Sequence, residues 1–131
     1  MAEVRLVEAG AMGRVAYARV APNEDVVLSI EKLCAAQGFH HAFVRGALGS
    51  LVDACFHAPG GGTRQVRGPA VEIVSLAGEV RTQPDGSLRA AITGIVADTD
   101  GQVHGGPFVA GANPVCVTFE VTLEEWLPSA T

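Results

Sequence analysis

From Arg14 to Val20 the chain alternates imperfectly between polar or small and apolar residues, with Val15, Tyr17 and Val20 among them, and this pattern predicts a strand. Pro22 and Asn23 end it. Asn23 is read as the helix N-cap, and Glu24 and Asp25 place negative charge at the positive end of the element that follows. Val26, Val27, Ile30, Leu33 and Cys34 recur at spacings of three and four, the stripe of a helix laid on a core. Gly38 supplies a left-handed stop, so one main α-helix is predicted over about residues 24–37.

Beyond residue 40 the period becomes that of strands. Residues 41–48 and 51–58 read as two strands joined by a tight connection at Gly49-Ser50. Residues 58–69, with Gly60-Gly61-Gly62, Arg64 and Arg67, read as a flexible surface loop. Residues 70–76 predict a further strand ending before Gly78. Residues 79–82 and 88–97 flank Pro84-Asp85-Gly86-Ser87, and Asp98-Thr99-Asp100-Gly101 is a second turn sequence. Val115, Val117, Phe119, Val121 and Leu123 then alternate with Cys116, Thr118, Glu120 and Thr122, giving one buried and one more polar strand face. One helix among six to eight strands predicts a single α+β domain over residues 1–131 with a mostly antiparallel sheet.

Composition narrows the function classes. The 131 residues suit one domain, and 48% hydrophobic residues exclude wholesale disorder. Nine Lys+Arg against fourteen Asp+Glu leave a formal charge of −5, which opposes a freestanding polyanion binder. Cys34, Cys55 and Cys116 are widely spaced with no CxxC, and read as reduced packing residues. The start of the chain has no apolar signal core, and no window approaches the ~20 apolar residues of a membrane helix. A cytoplasmic protein without a membrane partner is the expectation.

Several segments occur together in order. These are Gly46-Ala47-Leu48-Gly49-Ser50-Leu51, then Glu72-Ile73-Val74-Ser75-Leu76-Ala77-Gly78, then residues 98–106 from Asp98 through His104-Gly105-Gly106, then the last strand through Glu120. Over roughly residues 13–124 this order resembles the PPC domain, the "plants and prokaryotes conserved" domain. The resemblance implies a stand-alone prokaryotic member, the α+β fold read above, a homotrimer, and the DNA-binding label that plant members carry beside AT-hook motifs. No Arg-Gly-Arg-Pro hook core occurs here, and the nearest sequence, Arg67-Gly68-Pro69, lacks the second arginine a minor-groove reader inserts. The resemblance also implies a metal held by a His-x-His pair and a third histidine. Those positions align with Ala91, Thr93 and Pro107, so the metal site is read as lost and no cofactor is expected.

Among the remaining polar residues, Arg45 and Glu72 interrupt apolar strands, Thr93 carries a hydroxyl, and His104 stands beside two glycines. Together they are the candidate ligand-binding residues. Glu72 is also a candidate partner for Arg45 or Arg89 in a surface ion pair. Arg64 and Arg67 are the candidate contacts to DNA phosphates. His40 and His41, being adjacent, would face opposite sides of a strand, and no histidine is assigned to a metal. No nucleophile, base and oxyanion donor assemble, so no catalytic residue is assigned. The residues thus point to a non-enzymatic module. The resemblance implies that it is homotrimeric with a regulatory, DNA-binding role, which the charge of −5 and the missing hook disfavour. The alternative is a small-molecule-binding protein or weak enzyme with a site at a subunit boundary.

Overall fold

In the computed structural model, which describes residues 3–130, the alternating segments become six strands and the apolar stripe one helix. In chain order they are β1 (Gly10–Val20), α1 (Val26–Gln37), β2 (His41–His57), β3 (Thr63–Thr82), β4 (Leu88–Ala97), β5 (Val103–Pro107) and β6 (Val115–Pro128). The strands form one sheet in the order β1-β6-β2-β3-β4-β5, with every pairing antiparallel. The predicted fold class, one helix with a mostly antiparallel sheet, is the one observed.

Helix α1 packs against β4, with smaller contacts to β1 and β3, and buries Val26, Val27, Ile30 and Cys34. Under it lie Leu51, Val71, Val80, Val96, Val115, Phe119, Val121 and Leu123 from the inner face of the sheet. Removing this apolar surface from water is the main favourable term holding the layers together. The sheet also curls. The second half of β2 and the first half of β3 form a hairpin, and Phe56 on it meets Phe108, just past β5, with ring centroids 5.3 Å apart. The Val109 amide donates to the Cys55 carbonyl at 3.0 Å, so the chain after β5 is stitched back onto β2. This closure brings the β2–β3 hairpin beside the β4–β5 turn.

Several local expectations are corrected. Gly49-Ser50 does not reverse the chain, because β2 runs unbroken from His41 to His57. Gly49 has φ 144°, and a Cβ there would lie 2.2 Å from the Thr118 carbonyl oxygen, so the glycine admits a close neighbour rather than a turn. Gly78 is likewise interior to β3, with a Cβ position 2.2 Å from the Ala91 carbonyl oxygen. The expected long loop shrinks to residues 58–62. Arg64 and Arg67 stand on a strand, since residues 63–67 pair in register with 53–57 of β2. The N-cap is Asp25, not Asn23, and the helix begins at Val26. One Asp25 oxygen accepts from the Leu28 amide at 2.9 Å and the other from the Asn113 amide at 2.8 Å. This double use ties the helix start to the loop before β6, while Asn23 takes up a turn with φ 72°. β5 is a further strand beyond the second turn, paired to β4 from Thr93↔Pro107 to Ala97↔Val103. On β6 the predicted inner face holds except at Val117, which is 69% exposed.

Candidate functional site

The face of the sheet turned away from α1 is left uncovered and is apolar. Tyr17, Leu48, Val74, Ile95 and Val117 are all exposed, on β1, β2, β3, β4 and β6. The register aligns most of them. Tyr17 pairs with Thr122, Leu48 with Glu120, and the shared register of Phe43↔Glu79 and Ser50↔Glu72 brings Leu48 level with Val74. Ile95 follows opposite Ser75. The result is an apolar stripe on β2, β3 and β4, set apart from Tyr17 on β1 by Thr122 and Glu120 of β6. Glu120 accepts a hydrogen bond from the Tyr17 hydroxyl and pairs with Arg19 at 3.7 Å. Two shallow hollows lie along these strands. One, of about 230 Å³, is bounded by Tyr17, Gly46, Leu48, Glu120 and Thr122. The other, of about 330 Å³, is lined by Ser75, Ala77, Thr93, Ile95 and the Gly105-Gly106 pair.

A polar cleft of about 380 Å³ opens elsewhere, between the β2–β3 hairpin and the β4–β5 turn. Arg64 and Arg67 line its β3 wall, and Asp98, Thr99, Asp100 and His104 line the other. The turn prepares Asp98. Its Oδ1 accepts from the Asp100 and Gln102 amides, both at 2.9 Å, and its Oδ2 faces His104 Nε2 at 2.8 Å. The hydrogen bond from His104, helped by those amides, holds the Asp98 carboxyl below its ordinary value. The other ring nitrogen, Nδ1, faces outward and meets the Arg64 guanidinium. His104 is thereby fixed between an anion and a cation.

The four candidate ligand-binding residues do not line one cavity within the chain. Arg45 pairs with Glu124 at 3.2 Å, not with Glu72. Glu72 is exposed on β3 and makes no ion pair among the described residues, so the expected partnership with Arg45 or Arg89 is replaced by solvent exposure. Thr93 lines the hollow beside Gly105-Gly106, and His104 alone enters the polar cleft. The cleft instead unites His104 with Arg64 and Arg67, a grouping that sequence spacing did not indicate. Asp98 was visible only as a turn residue. Its role as the anchor of His104 depends on β5, which the Gly-Gly-Pro sequence disguised.

The chain matches the family model of the Plants and Prokaryotes Conserved (PCC) domain over residues 7–127. It belongs to this family. No curated protein matches it. Among solved structures, the plant- and prokaryote-conserved protein of Pyrococcus horikoshii is similar at 22% identity and a TM-score of 0.80, covering 95% of this chain and 87% of that one. A metal-containing protein of Archaeoglobus fulgidus is similar at 23% identity and 0.79, covering 96% and 89%. A proposed DNA-binding protein of Bacteroides thetaiotaomicron follows at 13% identity and 0.73, covering 88% and 83%. At these identities the likeness establishes the shared fold.

The metal that the family resemblance implies can be tested against this PCC domain directly. Thr93 pairs with Pro107 across β4 and β5, and Ala91 pairs with Glu79. Of the three expected ligand positions only Thr93 offers an oxygen, and it is a hydroxyl. Glu79, the nearest carboxylate in register, is engaged by His41 and Arg81, each at 2.9 Å. Such a donor set does not suit a transition metal, which favours imidazole or thiolate.

Proposed function

We propose that this PCC domain is a non-enzymatic regulatory module that works as a homotrimer, joined through the uncovered sheet face. The exposed stripe of Leu48, Val74 and Ile95, with Tyr17 beyond it on the same face, supports this reading above all. Exposed apolar surface gathered on one face in this way marks an association site, at about 25 cal/mol gained per Å² removed from water. A closed ring of three copies covers one such face per copy without leaving an open end. The non-enzymatic part is supported by the only oriented acid–base pair in the cleft. Asp98 holds His104, but the outward imidazole nitrogen meets a guanidinium rather than a hydroxyl or thiol nucleophile.

Light scattering on the eluting protein tests the assembly. The expected mass is three times the 13.5 kDa of the chain, falling to one chain for the double variant Leu48→Glu, Val74→Glu. A wild-type protein that elutes as a monomer at every concentration overturns the reading.

A second reading, contact with a DNA backbone, is favoured by Arg64 and Arg67, which stand in one cleft and form no ion pair with a carboxylate among the described residues. The name of the Bacteroides relative lends it support. Fluorescence anisotropy with A·T-rich and mixed duplexes tests it. Binding should weaken steeply with salt and be lost in Arg64→Ala, Arg67→Ala. No binding at low salt ends this reading.

A further inference from the structure

We infer that the hollow at the start of β2, between the segment before β1 and the ends of β3 and β6, binds a small zwitterion of the betaine class, with a methylated ammonium at one end and a carboxylate at the other. Phe43, His41 and Trp126 would surround the ammonium methyl groups, Glu8 would balance their charge, and Arg81 would take the carboxylate. This goes beyond the assembly reading and does not depend on it.

The first argument is the gathering of rings. Only 5% of the chain is Phe, Trp or Tyr. Yet a hollow of about 260 Å³ is lined by Phe43, the His41 imidazole and the chain's single tryptophan, Trp126, together with Val7, Glu8 and Arg81. His41 and Phe43 stand two apart on β2 and so share a face, and the pairing of Ala42 with Glu125 puts the next residue of β6, Trp126, on that face beside them. The ring centroids of His41 and Phe43 are 4.9 Å apart and those of Phe43 and Trp126 6.2 Å, with planes inclined by 48° and 71°. Rings inclined in this way make a corner rather than a flat platform. A corner gives a rounded group contact with several rings at once, whereas a flat ligand stacks on one ring only. A methylated ammonium is rounded, apolar at its surface and positively charged, the kind of group that ring faces attract.

The second argument is the order of charges across the hollow. Glu8 stands at the β6 side, where it accepts the Trp126 indole N–H at 2.5 Å and forms no ion pair among the described residues. Arg81 stands at the β3 side, opposite His41 in register. Glu79 fixes both neighbours, meeting His41 Nε2 with one oxygen and Arg81 Nε with the other, each at 2.9 Å. The terminal N–H groups of Arg81 are left without a protein partner among the described residues. Arg89 stands opposite Arg81 on β4, so two guanidiniums face the single Glu79 carboxylate and this side is positive. Glu124, opposite Phe43, is neutralised by Arg45 at 3.2 Å. The hollow is therefore negative beside the tryptophan and positive beside β3. A simple cation is opposed by Arg81 and a simple anion by Glu8, whereas a zwitterion satisfies both sides.

The test uses Trp126 as its own reporter. Glycine betaine is titrated into the full chain and followed by tryptophan fluorescence and by calorimetry. Two probes are compared with it: choline, which keeps the trimethylammonium but lacks the carboxylate, and tert-butylacetate, which keeps the shape and the carboxylate but has carbon in place of the charged nitrogen. Betaine should shift the Trp126 emission and bind at least about threefold more tightly than tert-butylacetate, the contribution of positive charge against the rings. Arg81→Gln should weaken betaine about tenfold, the loss of one charge-assisted contact, and leave choline no weaker. Glu8→Gln, which keeps an acceptor for the indole N–H, should weaken betaine and choline alike, and so should Phe43→Leu. Absence of betaine binding overturns the inference. So does tert-butylacetate or choline binding as tightly as betaine, or unchanged betaine affinity in Glu8→Gln or Arg81→Gln.

Discussion

Asn113 is fully buried and spends its whole side chain on backbone. Its Oδ1 accepts from the Cys55 amide at 2.8 Å, and its Nδ2 donates to the Cys55 and Val109 carbonyls. With its own amide on Asp25, it locks the loop before β6 to both β2 and the helix start. Asn113→Ala strands buried polar groups and should cost about 2–3 kcal/mol in urea unfolding. Nothing in the sequence around Asn113 announces this, because the two Cys55 groups it satisfies lie 58 residues away. Asp98 makes a pH-dependent contribution of known sign. Its carboxyl is held below the ordinary value in the folded chain, so its stabilisation is present above the ordinary carboxylate range and is lost as pH falls through the lowered folded value. Asp98→Asn should therefore be less stable than wild type at neutral pH, with the gap closing in acid, as thermal melts across pH would show. Cys34 behaves as the packing residue its position on the apolar stripe predicts. Burial pushes its thiol to about 11, so a thiol reagent at mildly alkaline pH should leave it unmodified until the protein unfolds.

At the scale of elements, the helix was legible because its signals are local. The apolar spacing of three and four and the Gly38 stop, with φ 71°, act within a few residues. Strand lengths were not, because glycine is ambiguous. At Gly38 and Gly86 it ends or turns the chain, while at Gly49 and Gly78 it lets one strand run close under another. The difference lies in what sits beside each glycine, the Thr118 and Ala91 carbonyls for Gly49 and Gly78, and those neighbours are remote in sequence. Gly78→Ala should lower stability by about 2–3 kcal/mol in urea unfolding, since φ 145° is strained for alanine and the methyl has no room. Gly86→Ala is strained as well but meets open space, so it should cost less.

At the scale of the whole molecule, the two faces of the sheet differ in what covers them. The inner face has α1, and among the described residues no element covers the outer stripe. An assembly closed over that stripe makes stability depend on concentration, because unfolding releases several chains at once. The melting temperature should rise with protein concentration in the wild type and stay constant in Leu48→Glu, Val74→Glu. Among the described residues no helix is long and apolar enough to cross a membrane, so the stripe is not part of a spanning helix.

The sequence by itself determined the fold class, the helix and its buried stripe, the turns at residues 84–87 and 98–101, and the family through its ordered motifs. All of these depend on residue type and on spacings of a few residues. Tertiary structure decided the rest. Curling of the sheet brought Arg64 from β3 to His104 on β5 across 40 residues, and only then did a basic pair and a turn aspartate become one cleft. It also separated Arg45 from Glu72, which share a polar character within apolar strands but no neighbourhood. Local chemistry selects elements, whereas a site depends on which distant strands the burial of apolar surface forces together.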